Sequence, residues 1–167
     1  MYMQTLYIMC GLAFSGKSTL ARKIADFTNS KLIAFDNLWV KKEKEKQITQ
    51  GVEGWRSIRK LAQEKIVKSL KNGDSVVYDD NNIRFEHREE LRKIARKLGI
   101  REVVIYLSTS MDIIRQRESI NKITGERHEV ASKNFQTVLQ QLQIPTTKEN
   151  VVEFIPEMNV DKWLNNL

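Results

Sequence analysis

A chain of 167 residues, 41 % of them hydrophobic, has the length and apolar content of one domain with a real core. No apolar run approaches the ~20 residues that span a bilayer, and the single cysteine, Cys10, excludes an internal disulfide. The net charge of +7 and pI near 9.5 suit a phosphate-bearing partner, nucleotide or nucleic acid, and equally suit a well-solvated surface with surplus lysines.

The start, Met1 to Phe14, lacks a basic leader and runs from apolar residues straight into a Gly-rich loop, so it reads as a first core strand. A cytoplasmic protein without a membrane partner is the expectation. Gln4–Cys10 is that strand, and Lys17–Thr28 is a helix with Leu20, Ala21, Ile24 and Ala25 on one face. Lys31–Phe35 is a second short strand. Lys41–Gln50 alternates Lys and Glu without an apolar stripe and reads as a solvated helix or loop. From Trp55 to Asn72 a helix turns Trp55, Ile58, Ala62, Ile66 and Leu70 inward, and Asn72-Gly73-Asp74 stops it. Ser75–Tyr78 is the third strand. Leu91, Ile94, Ala95 and Leu98 mark the next helix, closed by Gly99.

Glu102–Leu107 is the fourth strand, Met111–Glu118 a helix, and Asn121–Arg127 a loop. Ala131, Phe135, Val138, Leu139 and Leu142 form another helical stripe, ended by Pro145. Val151–Ile155 is a fifth strand, and Val160, Trp163, Leu164 and Leu167 a last short helix. Strands that alternate with helices and read as continuous apolar runs predict a single α/β domain over residues 1–167, with a parallel sheet buried on both faces.

Gly11-Leu12-Ala13-Phe14-Ser15-Gly16-Lys17-Ser18-Thr19 fits G-x-x-x-x-G-K-[ST] at every fixed position. Gly11 and Gly16 let the backbone fold tightly, so that successive N–H groups, those of Ala13, Phe14, Ser15 and Thr19 among them, face one anion. The helix that opens there adds its dipole. Lys17 can reach the β- and γ-phosphates of a nucleoside triphosphate such as ATP, and the Ser18 hydroxyl is placed to ligate Mg²⁺. A chain this long meets the pattern by chance roughly 0.5 % of the time; the strand before it and the helix after it are the context the motif requires.

Two aspartates follow strands. Asp79, after Ser75–Tyr78, would face the metal side of the phosphate site; a strand-to-loop turn explains it as well. Asp80 beside it has a weaker claim. Asp36, after the second strand, could accept the proton of an attacking hydroxyl, or could cap the helix that follows.

Together these residues resemble the P-loop kinases of the group that holds phage-type polynucleotide 5′-kinase, zeta-toxin-like kinases and chloramphenicol phosphotransferase, with an AAA-like ATP-binding domain. The resemblance spans roughly Leu6 to Ile155. It rests on the P-loop, on Asp36, on Val76-Val77-Tyr78-Asp79-Asp80-Asn81-Asn82 with Arg84, Arg88 and Leu91, and on Arg115, Arg117, Gly125 and Arg127 followed by Gln143-Ile144-Pro145-Thr146-Thr147-Lys148-Glu149.

It implies a three-layer P-loop NTPase fold, a five-stranded sheet ordered 2-3-1-4-5, and an arginine-bearing lid over about 115–130. Arg117 sits where the lid arginine is expected. Arg127 is a second candidate, and stands in for an arginine absent at Asn121. Trp39 occupies the place three residues after Asp36 where the polynucleotide kinases carry arginine, which opposes a nucleic-acid 5′ end as acceptor. Trp39 itself is either a stacking surface or core. His87 and His128 are isolated and show no zinc-ligand spacing.

The expected activity is transfer of the γ-phosphate of ATP to a hydroxyl of a small molecule or nucleotide-like substrate. A nucleic-acid or tRNA kinase and an ATP-dependent switch with slow hydrolysis are the alternatives.

Overall fold

The computed structural model describes residues 3–125 and 132–167. Five strands, β1 (Thr5–Cys10), β2 (Lys31–Ala34), β3 (Val76–Asp79), β4 (Arg101–Leu107) and β5 (Val151–Phe154), form one sheet in the order β2-β3-β1-β4-β5. Every pairing is parallel, so each crossover carries at least one helix. The helices are α1 (Lys17–Thr28), α2 (Phe35–Lys44), α3 (Val52–Lys71), α4 (Phe85–Lys97), α5 (Met111–Thr124), α6 (Ser132–Gln140) and α7 (Val160–Leu164).

The alternation of side chains along β1 divides the interior. Leu6, Ile8 and Cys10 face a cluster completed by Ile58, Ala62, Ile66 and Leu70 of α3 and by Leu91 and Ala95 of α4. Tyr7 and Met9 face the opposite layer, where Leu20, Ala21, Ile24 and Ala25 of α1 meet Leu164 of α7. Burial of both faces is why β1 carries no alternating polar residues. A third cluster lies above the sheet edge and joins Leu12 and Phe14 to Ile83, Ile114 of α5 and Phe135 of α6.

Strand register sets the working edge. Ala34 pairs with Asp79, so β2 and β3 end at the same level, and Ile8 pairs with Tyr78. The segments that leave β1, β2 and β3 therefore emerge together at the carboxyl edge, where open parallel sheets hold their ligands.

Three readings change. Phe35 opens α2 rather than closing β2, because its buried ring stacks on Trp39 one turn later and lies 4.8 Å from Trp55. Asp36 therefore belongs to the first turn of α2 rather than to a strand end, and the N-cap position is Ala34. Trp55, expected inward, is 44 % exposed, and Gly54 takes the buried place in the first turn of α3. Finally, α5 runs on to Thr124 and absorbs Asn121, which was expected in a loop. Nothing before Gly125 breaks a helix, and Gly125, at φ 63°, donates its N–H to the Asn121 carbonyl and closes the turn.

Candidate active site

The Gly11–Thr19 loop joins β1 to α1 above the sheet edge. Gly16 sits at the N-cap of α1 with φ 101°, a left-handed conformation suited to glycine, and a Cβ there would lie 3.2 Å from Nη1 of Arg117. Phe14 is also left-handed, at φ 61°; its ring, buried in the cluster with Ile83, Ile114 and Phe135, holds it there. The first turn of α1 has no side-chain cap and no acidic residue, which leaves its N–H groups for an anion. Ser15 Oγ is buried without a hydrogen-bond partner among the described residues. Uncapped amides and an orphaned hydroxyl are what a phosphate would satisfy, so the loop fits the triphosphate it predicts.

Lys17 is buried, and its Nζ donates to the Leu12 carbonyl at 3.0 Å, within its own loop. Burial pushes its pKa below the usual lysine range, and the charges of Asp79, Asp80 and Asp36 work against that drop. The three carboxylates thus gather around one ammonium from the ends of β2 and β3. The structure brings together Lys17, Asp36 and Asp79. Asp36 is exposed on the first turn of α2, while Asp79 is buried.

Ser18, half-buried in the first turn of α1, and Asp79 are hard oxygen donors of the kind Mg²⁺ takes. Among the described residues no group of three or more His, Cys, Asp or Glu could hold a metal ion. A magnesium ion at this edge would draw its remaining ligands from nucleotide oxygens and water, its usual habit.

Asp80 is occupied. Its Oδ2 accepts from Arg59 Nη2 at 2.8 Å and from the Tyr78 hydroxyl at 3.2 Å, and its Oδ1 takes the Asn81 N–H at 2.7 Å. Arg59 was not picked out from the sequence; its only signal was a position one turn past Trp55 in α3.

Arg117 of α5 reaches the loop from outside. Its Nη1 donates to the carbonyls of Phe14 and Ser15 at 3.1 and 2.9 Å, and the Thr109 hydroxyl adds a second bond to Ser15 O at 2.9 Å. Beside it lies a cavity of about 470 Å³, lined by Gly16, Thr19, Lys23, Arg117, Ile120 and Met158, within the size range of small-molecule pockets. Ala13 is half-buried and Thr19 exposed on the loop. Arg127 lies outside the described residues.

The segment after β3 is fastened to the P-loop. The Gly11 N–H donates to Asn81 O at 3.1 Å. Asn82, fully buried and at φ 42°, donates Nδ2 to Met9 O at 2.9 Å. Below it Arg88 is sealed in. Its Nε and Nη2 donate to the two Glu149 oxygens at 2.7 and 3.0 Å, and its Nη1 to Asn82 O at 2.9 Å. Burial opposes both charges, and the paired hydrogen bonds overcome it, holding Glu149 below and Arg88 above their ordinary pKa ranges. Glu149 also closes a capping box with Thr146. The basic helix and the Pro145–Glu149 turn, read as separate family marks, are one structural lock.

The sequence from residue 6 to 145 matches the family described as AAA domain. The chain belongs to this AAA-domain family. Among solved structures, this AAA domain is similar to Kti12 of Chaetomium thermophilum in complex with ADP-AlF3, with TM-score 0.74, 14 % identity and coverage of 96 % of each chain. It is also similar to the APS kinase CysC of Mycobacterium tuberculosis in complex with AMPPNP and APS, with TM-score 0.72, 16 % identity and coverage of 98 % of this chain and 95 % of that one. A gluconokinase from Sinorhizobium meliloti matches at TM-score 0.68 and 21 % identity, over 99 % of this chain and 90 % of the other. At these identities the likeness establishes the three-layer P-loop NTPase fold alone. No match is found among curated proteins by sequence. Among the described residues no helix is long and apolar enough to cross a membrane.

Proposed function

We propose that this AAA domain is a magnesium-dependent kinase that moves the γ-phosphate of ATP to a hydroxyl of a small molecule or nucleotide-like acceptor. The observation that carries the reading is the gathering of Asp36, Asp79 and Asp80 around Lys17 at the mouth of an uncapped P-loop. Lys17, Asp79 and Asp36 have distinct parts. The loop amides and Lys17 bind the phosphates, and Lys17 leaves the Leu12 carbonyl to do so. Ser18 and Asp79 would hold the metal, which when bound would offset phosphate charge. Asp36, exposed on the acceptor side, takes the hydroxyl proton as the new O–P bond forms and the bond to the ADP oxygen breaks.

Arg117 braces the carbonyl side of the loop and stands over the cavity beside it, close enough to add positive charge near the nucleotide. Arg127 is retained as the second cation of the lid. A single-domain cytoplasmic enzyme resembling the polynucleotide-kinase, zeta-toxin and chloramphenicol-phosphotransferase group is consistent with this arrangement.

The deciding experiment incubates the purified protein with γ-labelled ATP, Mg²⁺ and panels of hydroxyl acceptors: sugars, nucleosides, nucleotides, phenicol-type alcohols and 5′-hydroxyl oligonucleotides. Label should move to one acceptor class and be lost in Lys17→Ala and Asp36→Asn. Free phosphate alone, released at a rate indifferent to Asp36→Asn, would overturn the kinase reading in favour of an ATP-driven switch.

A further inference from the structure

The acceptor side of the sheet edge carries more charge than proton transfer needs. Helix α3 follows α2 and leads down to β3, so its first two turns lie at the carboxyl edge, beside Phe35 and Asp80. Trp55 and Arg59 lie there one turn apart on a shared face. Trp55 presents 44 % of its surface, with its ring held by Phe35 at 4.8 Å and Trp39 at 6.1 Å. Arg59 donates one Nη2 bond to Asp80 at 2.8 Å, which is the only hydrogen bond of that guanidinium among the described residues. Its other donors remain for a ligand, on a side chain that is still 16 % exposed.

Opposite it, the start of α4 brings Arg84 and His87. The imidazole lies among the charges of Arg59, Asp80, Arg84 and Glu90, and Glu90 is engaged by Gln63. His87 Nδ1 is buried with no hydrogen-bond partner among the described residues. The rim next to Asp36 therefore offers unused guanidinium donors and an exposed indole face.

We propose that the acceptor is a small phosphorylated alcohol, and that Arg59 receives its phosphate while the acceptor body lies against Trp55, which brings the free hydroxyl to Asp36. This rests on the phosphotransfer reading above and assigns the acceptor class of the same site. A guanidinium suits a phosphate because its planar fork matches two oxygens. The ion pair with Asp80 keeps Arg59 extended toward the edge until a phosphate arrives, so little side-chain freedom is lost on binding.

The test is a binding measurement that does not depend on transfer. The protein is saturated with Mg²⁺ and a non-hydrolysable ATP analogue, then titrated by calorimetry with nucleoside monophosphates and sugar phosphates, each beside its uncharged parent. At least one phosphorylated member should bind roughly 10- to 100-fold more tightly than its parent, and R59A should remove that preference, the scale expected for charge-assisted hydrogen bonds. R59K should keep part of it, W55F should weaken binding less, and affinity for the ATP analogue should hold in all three. Equal binding of parents, absence of binding by every phosphorylated member, or unchanged binding by R59A would each overturn the assignment. An oligonucleotide preferred over every small phosphorylated compound would overturn it too. If R59A does not fold, R59K and R59Q carry the test. Transfer of label to an uncharged acceptor would leave the kinase reading standing while this one fails.

Discussion

Two buried ionic groups sit on either side of β1, and they are built differently. Arg88 and Glu149 pair through two hydrogen bonds, and Arg88 Nη1 reaches Asn82 O and Cys10 Sγ. Lys17 has three carboxylates near it, yet among the described residues its one hydrogen bond is to a carbonyl of its own loop. A saturated pair holds elements together; an ammonium among several acids at an open edge is set to exchange partners. Completeness of bonding, rather than burial or charge, separates the structural group from the functional one.

The comparison can be broken where its contrast is greatest. Arg88→Ala should cost about 3–5 kcal/mol, because it leaves the Glu149 carboxylate buried and unpaired; denaturant unfolding checks this. Lys17→Met should do the reverse, lowering kcat/KM for transfer about 10³-fold with a melting temperature unchanged or higher, since it removes a buried charge. If both variants lose stability alike, the distinction fails.

Asp36→Asn should reduce transfer roughly 10²-fold or more while ATP affinity measured by calorimetry stays near that of the parent. The acid limb of stability sharpens the other side. Glu149 has a lowered folded pKa, so its contribution is complete above the ordinary carboxyl value and fades as pH falls through the lowered one. Glu149→Gln should flatten stability against pH in that acid window. The smallest effect concerns Cys10, whose thiol burial pushes up to about 12. It should resist alkylation at neutral pH in the folded chain and react once denaturant is added, as thiol counting would show.

Local chemistry was readable from the sequence, and distant pairing was not. The P-loop declares itself because glycines at fixed spacing are a backbone requirement, and α1 came out with its bounds intact, Lys17–Thr28. The sheet order followed from the resemblance and agrees with the structure. Phe35 was misplaced because an aromatic residue suits a strand as well as a helix; only its contacts with Trp39 and Trp55, the latter 20 positions along, decide for the helix. Arg88 meets Glu149 across 61 positions and Arg59 meets Asp80 across 21, separations that no periodicity encodes. Trp55 followed the apolar stripe of α3 on paper, but the helix begins at the rim, where only Phe35 and Trp39 of α2 meet its ring and the rest stays open.

The bonds from Gly11 N–H to Asn81 O and from Asn82 Nδ2 to Met9 O have a mechanical consequence. They weld the bend after β3 to the root of the P-loop, so Asp79 and the loop ride on one rigid mount. Exchange of the Gly11 amide hydrogen thereby becomes a gauge for the acid bend. Loosening Asn82 should speed that exchange before it disturbs the rest of the sheet.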